Sequence, residues 1–164
     1  MDINVPGCTI RAATPADRFW IARVLTERWH SPHIVSRGRV HAADHLPALI
    51  AENAADKLGL ATYAIASDQC ELVTLDSLAP GLGIGSALLA ATAAAARAAG
   101  CRRLWLITTN DNLAALRFYQ KRGLVLVAVH RDALAESRRR KPEISLIGMD
   151  GIPLRDELEL ELLL

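Results

Sequence analysis

The sequence predicts an α/β chain of the α+β kind: a three-layer αβα sandwich around a mixed, mostly antiparallel sheet of about six to seven strands. Three observations predict it. Short apolar runs in the first half are joined by links too short for a crossover, which favours an antiparallel meander. Two helix-forming stretches then lie between later apolar runs, so helices cover the sheet. The end, Glu157-Leu158-Glu159-Leu160-Glu161-Leu162, alternates with period two and reads as a half-buried last strand.

The elements follow in order. Cys8 to Arg11 is a short strand. Thr14-Pro15-Ala16-Asp17 reads as an N-cap with proline at the first helical position, opening a helix that runs to about Trp29. Ser31 to Asp44 carries Pro32, Gly38 and several His and Arg residues and reads as a loop with at most a short helix. Leu46 to Glu52, Leu58 to Ala66 and Cys70 to Leu75 read as strands joined by turn-prone links. The Ala87 to Ala99 stretch is alanine-rich and therefore helical, stopped by Gly100. Leu104 to Thr108 is a strand. Asn112 to Arg122 is a helix capped by Asn110 or Asp111 and ended by Gly123. Leu124 to His130 is a strand, and Arg131 to Gly151 reads as irregular.

Composition narrows the function. With 164 residues and no linker or repeat, the chain 1–164 is expected to form one domain. A net charge of +1 gives no overall drive toward nucleic acid or an anionic membrane. Three cysteines without ligand spacing predict reduced thiols, no metal and a cytoplasmic protein. The N-terminal stretch is broken by Pro6, Gly7 and Pro15, so no signal peptide is expected, and no apolar run reaches membrane-spanning length.

Gly81, Gly83 and Gly85 lie between a strand and a strong helix. Glycines let backbone amides turn toward a ligand, and the helix N-terminus adds unpaired N–H groups with partial positive charge. Such a loop suits phosphate oxygens, although a plain strand-to-helix turn uses the same residues. No Lys makes it a P-loop, and Ser86 stands where a dinucleotide fingerprint needs its third glycine. One strand later, Asn112, Ala115 and Tyr119 recur at i, i+3, i+7 and share a helical face.

Strand, glycine loop, alanine-rich helix, strand and then N-x-x-A-x-x-x-Y-x-x-x-G together resemble the core of the GNAT acetyltransferases, over residues 70–129. The resemblance implies acetyl-CoA as donor, its pyrophosphate on the backbone of Gly81, Leu82, Gly83, Ile84, Gly85 and Ser86. It implies main-chain pairing of pantetheine with Leu75 and its neighbours, and a cofactor contact at Asn112. Tyr119 would be the general acid for the departing thiolate. The chain departs from the family pattern at Pro80, where a polar Gln or Arg is usual, and at Leu124, which replaces a closing Phe.

The implied reaction is transfer to a primary amine of a small-molecule acceptor, directly within a ternary complex. Glu71 is the expected base and Asp76 the runner-up, their odd spacing setting them on opposite faces of a regular strand. Asp76 serves alternatively as a loop cap. Cys70 invites an acyl-cysteine alternative but has no base beside it in sequence. Residues 28–45, with Arg28, Arg37, Arg39 and the four histidines His30, His33, His41 and His45, are expected at the acceptor pocket, where Arg forks would favour a carboxylate. The run Arg138-Arg139-Arg140-Lys141 is either solvated or set to meet the 3′-phosphate of CoA, an acidic acceptor or RNA. The Glu-Leu strand is central or an edge, an edge making a homodimer. A non-catalytic acyl-CoA-binding sensor or regulatory module is the competing function.

Overall fold

A computed structural model describes residues 5–164; Met1 to Asn4, part of the expected domain span, lie outside the described residues. A seven-stranded sheet forms the middle layer. Its strands are β1 (Thr9–Ala12), β4 (Ala48–Glu52), β5 (Lys57–Ala66), β6 (Gln69–Ser77), β7 (Arg103–Thr109), β8 (Val125–His130) and β9 (Glu157–Leu163). A separate hairpin joins β2 (His33–Ser36) to β3 (Arg39–Ala42). The helices are α1 (Arg18–Trp29), α2 (Ile84–Ala98), α3 (Leu113–Gln120) and α4 (Ala133–Arg140). In space the sheet runs β1-β4-β5-β6-β7-β9-β8, antiparallel throughout except where β6 meets β7. The mixed, mostly antiparallel αβα sandwich expected from the sequence is the fold observed.

Two apolar layers sandwich the sheet. On one side Ile84, Leu88 and Ala96 of α2 pack on Ala61, Leu72, Leu106 and Leu160, and Leu116, Phe118 and Tyr119 of α3 close the layer. On the other side Ile21, Val24 and Leu25 of α1 meet Ile34 of the hairpin and Ile50, Leu60 and Val73 of the sheet. Aromatics are scarce, so aliphatic side chains and alanine fill both layers. Among the described residues, no helix is long and apolar enough to cross a membrane.

Three local expectations change. Residues 31–44 form the β2–β3 hairpin rather than a loop, with Arg37 and Gly38 at its turn, both at positive φ. The stretch from Arg131 contains α4, whose polar composition hid a helix anchored by only Leu134 and Ser137. Asn112, not Asn110 or Asp111, caps α3, its side chain accepting from the Ala115 amide at 3.1 Å. Asn110 and Asp111 instead receive the amides of Arg155 and Met149.

The Glu-Leu strand β9 is central, lying between β7 and β8. Its first four residues are buried on both faces, so period two here separates apolar packing from paired charge rather than core from solvent. Arg103 binds Glu159 and Glu161, Arg37 reaches Glu159 at 2.6 Å and His130 reaches it at 2.8 Å. Burial opposes the ionisation of Glu159, yet the bonds from Arg103 and His130 hold it below the usual carboxylate range. The edge strands are therefore β1 and β8, and the edge reading of the Glu-Leu segment is withdrawn.

Gly59 sets the seating of α2 on the sheet. A Cβ there would lie 2.6 Å from Ile84 Cγ2, 2.8 Å from the Asp76 carbonyl oxygen and 2.9 Å from Leu88 Cδ1. Gly59→Ala is expected to destabilise the fold by about 2 kcal/mol through overpacking against backbone. Denaturant unfolding checks this, and an unchanged midpoint would contradict the close approach.

Candidate functional site

Pairing between β6 and β7 is confined to Gln69–Arg103, Cys70–Leu104 and Glu71–Trp105. Beyond them the two strands part. The remainder of β6 keeps its β5 partner but presents an unpaired edge toward β7, and β7 turns to β9. A cavity of about 560 Å³ opens in the gap, lined by Glu71–Asp76 on one side and Leu106–Thr109 on the other. An unpaired strand edge offers main-chain groups to any extended ligand laid along it. Leu75, half-buried, lies on this edge.

The glycine loop stands at the mouth. Gly81 and Gly83 adopt positive φ of 83° and 79°, a region closed to most side chains, and Pro80 to Gly83 are exposed. No side chain caps α2, leaving its first-turn amides free for an anion. Ile84 and Ser86 differ from the rest of the loop, since both are buried. The Ser86 hydroxyl is held by Arg122 Nε at 2.7 Å, and the Arg122 guanidinium lies 3.6 Å over the Phe118 ring. Arg122 thus ties the end of α3 to the start of α2, a contact the sequence reading did not find.

Asn112, Ala115 and Tyr119 all line the cavity, as their common helical face requires. Asn112 also spends its side-chain oxygen on the α3 cap. Tyr119 meets Phe118 edge to face at 5.1 Å. Burial, with the charge of Asp76 adding to it, pushes the Tyr119 phenol well above its ordinary range, so it remains protonated.

Glu71 and Asp76 open onto the same cavity rather than opposite faces of the strand. The cause is a β-bulge. Tyr63 pairs with Leu72 and Thr62 with Thr74, leaving Val73 as one extra residue in β6. Alternation resets there, and the Thr62 and Thr74 hydroxyls bond each other at 2.8 Å beside it. Asp76 is buried beneath α1, where Trp29 Nε1 donates to both its oxygens at 3.2 and 3.0 Å. Burial raises its pKa, while that bond and nearby Arg28 oppose the rise. Glu71 is only 6% exposed, so it is no solvated strand-start carboxylate. His41 Nε2 sits 3.1 Å from Glu71 Oε2, off the line of a hydrogen bond and with no other partner. His41 belongs to the segment expected at the acceptor pocket, but its approach to Glu71 depends on a hairpin the polar segment did not announce.

The remaining sequence candidates divide. Arg28, Trp29 and His30 line the cavity with Ile34, Val35 and Ser36 of the hairpin. Arg37 is spent on Glu159, so it offers no fork to a ligand. The basic run of α4 is structural: Arg138 donates to the carbonyls of Ile144 and Ser145, Arg139 pairs with Glu136, and Lys141 donates to the carbonyls of Trp29 and His33 at 3.0 and 3.1 Å. Neither a CoA phosphate nor RNA is needed to explain it.

Residues 16–124 match the model of the acetyltransferase (GNAT) family. Two Bacillus subtilis (strain 168) proteins, both uncharacterised, are similar along most of their length. YdhI is 40% identical over 82% of this chain and 84% of its own. YxbD is 38% identical over 94% of each. Among solved structures, a GNAT family acetyltransferase from Elizabethkingia anophelis with acetyl-CoA bound superposes with a TM-score of 0.68 at 18% identity, covering 97% of this chain and 99% of that one.

Cys70 lies at the root of the cleft, fully buried, and burial pushes its thiol up to about 12. Cys101 is also buried, and Cys8 is half-buried. Titration of the native protein with an aromatic disulfide reagent is expected to give one accessible thiol, Cys8, with the other two appearing on denaturation. Rapid modification of Cys70 would overturn this and reopen an acyl-cysteine route.

Proposed function

This chain belongs to the GNAT acetyltransferase family, and we propose that it is an acetyl-CoA-dependent N-acetyltransferase acting on a primary amine of a small-molecule acceptor, by direct transfer in a ternary complex. One observation carries the reading: the gap between β6 and β7 holds a protonated, half-buried phenol, a buried carboxylate and an unpaired strand edge around one cavity. The residues fit the donor. The positive-φ glycines and uncapped α2 suit a pyrophosphate, and the edge around Leu75 suits the amides of a pantetheine arm. We assign phosphate contacts to the amides of Gly81, Leu82, Gly83, Ile84, Gly85 and Ser86, and a further cofactor contact to Asn112.

Bound acetyl-CoA supplies the acetyl group, its carbon–sulfur bond breaking as the acceptor nitrogen bonds the carbonyl carbon. Glu71 takes the proton that the amine gives up, directly or through water, and Asp76 is the alternative base. Tyr119 delivers a proton to the departing sulfur. Solvent exchange then restores Tyr119 and Glu71, leaving an amide and a free thiol. The raised thiol of Cys70 favours direct transfer over an acyl-cysteine. Three free cysteines support a cytoplasmic setting, and we treat the chain as one catalytic domain.

Calorimetric titration with acetyl-CoA, beside NAD and ATP, is expected to show saturable binding of acetyl-CoA alone. Tyr119→Phe should keep that binding and lose about a hundredfold in kcat, as expected for one proton donor. The acid form of Tyr119 is the working form, so its contribution is lost only as pH rises through its raised pKa, above the ordinary phenol value of about 10. No binding at millimolar acetyl-CoA, or full activity in Tyr119→Phe, would sink the assignment.

A further inference from the structure

The inner face of the β2–β3 hairpin carries Ile34, Ser36 and His41, all buried over the sheet. Ser36 is 5% exposed, lines the cavity, and its hydroxyl has no hydrogen-bond partner. Its neighbour Arg37 donates its amide to Glu157 Oε2 at 3.1 Å, so Ser36 adjoins that carboxylate. Glu157 is 2% exposed and also lines the cavity, taking one further bond, from the Ser137 hydroxyl at 3.1 Å. Among the described residues, no cationic side chain bonds it.

The charges around the cavity are unequal. Four carboxylates line it, Glu71, Asp76, Asp111 and Glu157, against two cationic side chains, Arg28 and Lys141. Both cations face backbone: Arg28 donates to the Ser77 carbonyl at 3.0 Å, and Lys141 to those of Trp29 and His33. The guanidinium of Arg37, next to Ser36, pairs with Glu159, and that of Arg138 bonds the carbonyls of Ile144, Ser145 and Leu154. Arg39 meets Glu71 only across a separate recess of about 90 Å³ shared with Gln69 and Trp105. A buried carboxylate with neutral donors and an idle hydroxyl beside it calls for a cationic donor from outside.

We infer that the acceptor is a diamine or polyamine, with one amine at the reaction centre near Glu71 and a second, charged amine held by Glu157 and Ser36 beneath the hairpin. This rests on the acetyltransferase reading and replaces the earlier expectation of a carboxylate-bearing acceptor. An ammonium group donates three hydrogen bonds, and Ser36 Oγ with the carboxylate of Glu157 offers acceptors for them. A carboxylate in the same place would meet Glu157 as a like charge and find no free guanidinium.

The test compares three probes of matched chain length, diaminobutane, butylamine and the ω-amino acid aminobutanoate. Two readouts are kept apart: calorimetric binding to the CoA-loaded protein, and thiol release at saturating acetyl-CoA. Diaminobutane is expected to bind at least tenfold more tightly than butylamine, with no binding of aminobutanoate, and to lead in kcat/KM by a similar factor. Glu157→Gln and, as the milder change, Ser36→Ala should each narrow the diamine preference by raising its KM more than they lower kcat, with acetyl-CoA binding serving as the check of folding. Equal binding of diaminobutane and butylamine, or tighter binding of aminobutanoate, would overturn the inference even if transfer occurs. Diamine preference in the binding experiment without thiol release would uphold this site and overturn the acetyltransferase reading instead.

Discussion

The parting of β6 from β7 after three paired residues is the constraint on which the site depends. A sheet that stayed paired to Asp76 would have no cavity and no free edge. The parting is sustained from both sides. β5 continues to hold β6 to its end, and β9 continues to hold β7 from Arg103 to Thr109. Each strand keeps one full ladder, so the gap leaves open only the ladder that a bound chain can replace. The two helices that matter for the donor, α2 and α3, then lie on one side of the sheet, and α1, the hairpin and α4 lie on the other. On the proposed function, donor chemistry and acceptor recognition fall to opposite faces of one opening.

The acceptor face is unusual in how it settles its charges. On β9, Glu159 is surrounded by Arg37, Arg103 and His130 and is a closed ion cluster. Breaking such a buried cluster by removing one partner costs far more than the cluster itself contributes, so its worth is mainly to fix the hairpin over the sheet. Glu157, two residues away and on the same side, is served only by neutral donors. The contrast separates a structural carboxylate from one left for a ligand, although both come from the same Glu-Leu repeat.

Much of the fold was legible because backbone chemistry announces itself. Glycines stop α2 and α3, alanines fill α2, and apolar runs mark β4 to β8 within a residue or two. The proposed donor half of the site rests on local patterns, a glycine loop and an i, i+3, i+7 face, which the sequence displays. The acceptor half does not. β2, β3 and α4 carry too few apolar residues to show a period, and their positions follow from long-range partners such as Arg37 with Glu159 and Lys141 with the carbonyl of Trp29. The shared face of Glu71 and Asp76 was unreadable because it turns on one bulged residue, Val73, which no side-chain preference marks.

That bulge gives β6 a counting rule. Because side chains alternate with a period of two, removing Val73 would restore a regular ladder and send every residue on one side of it to the opposite face. Asp76 would leave Trp29 and enter the layer beneath α2, where Leu75 now packs, and Leu75 would turn toward α1. Strand β6 thus tolerates exchange of its side chains far more readily than a change in its length.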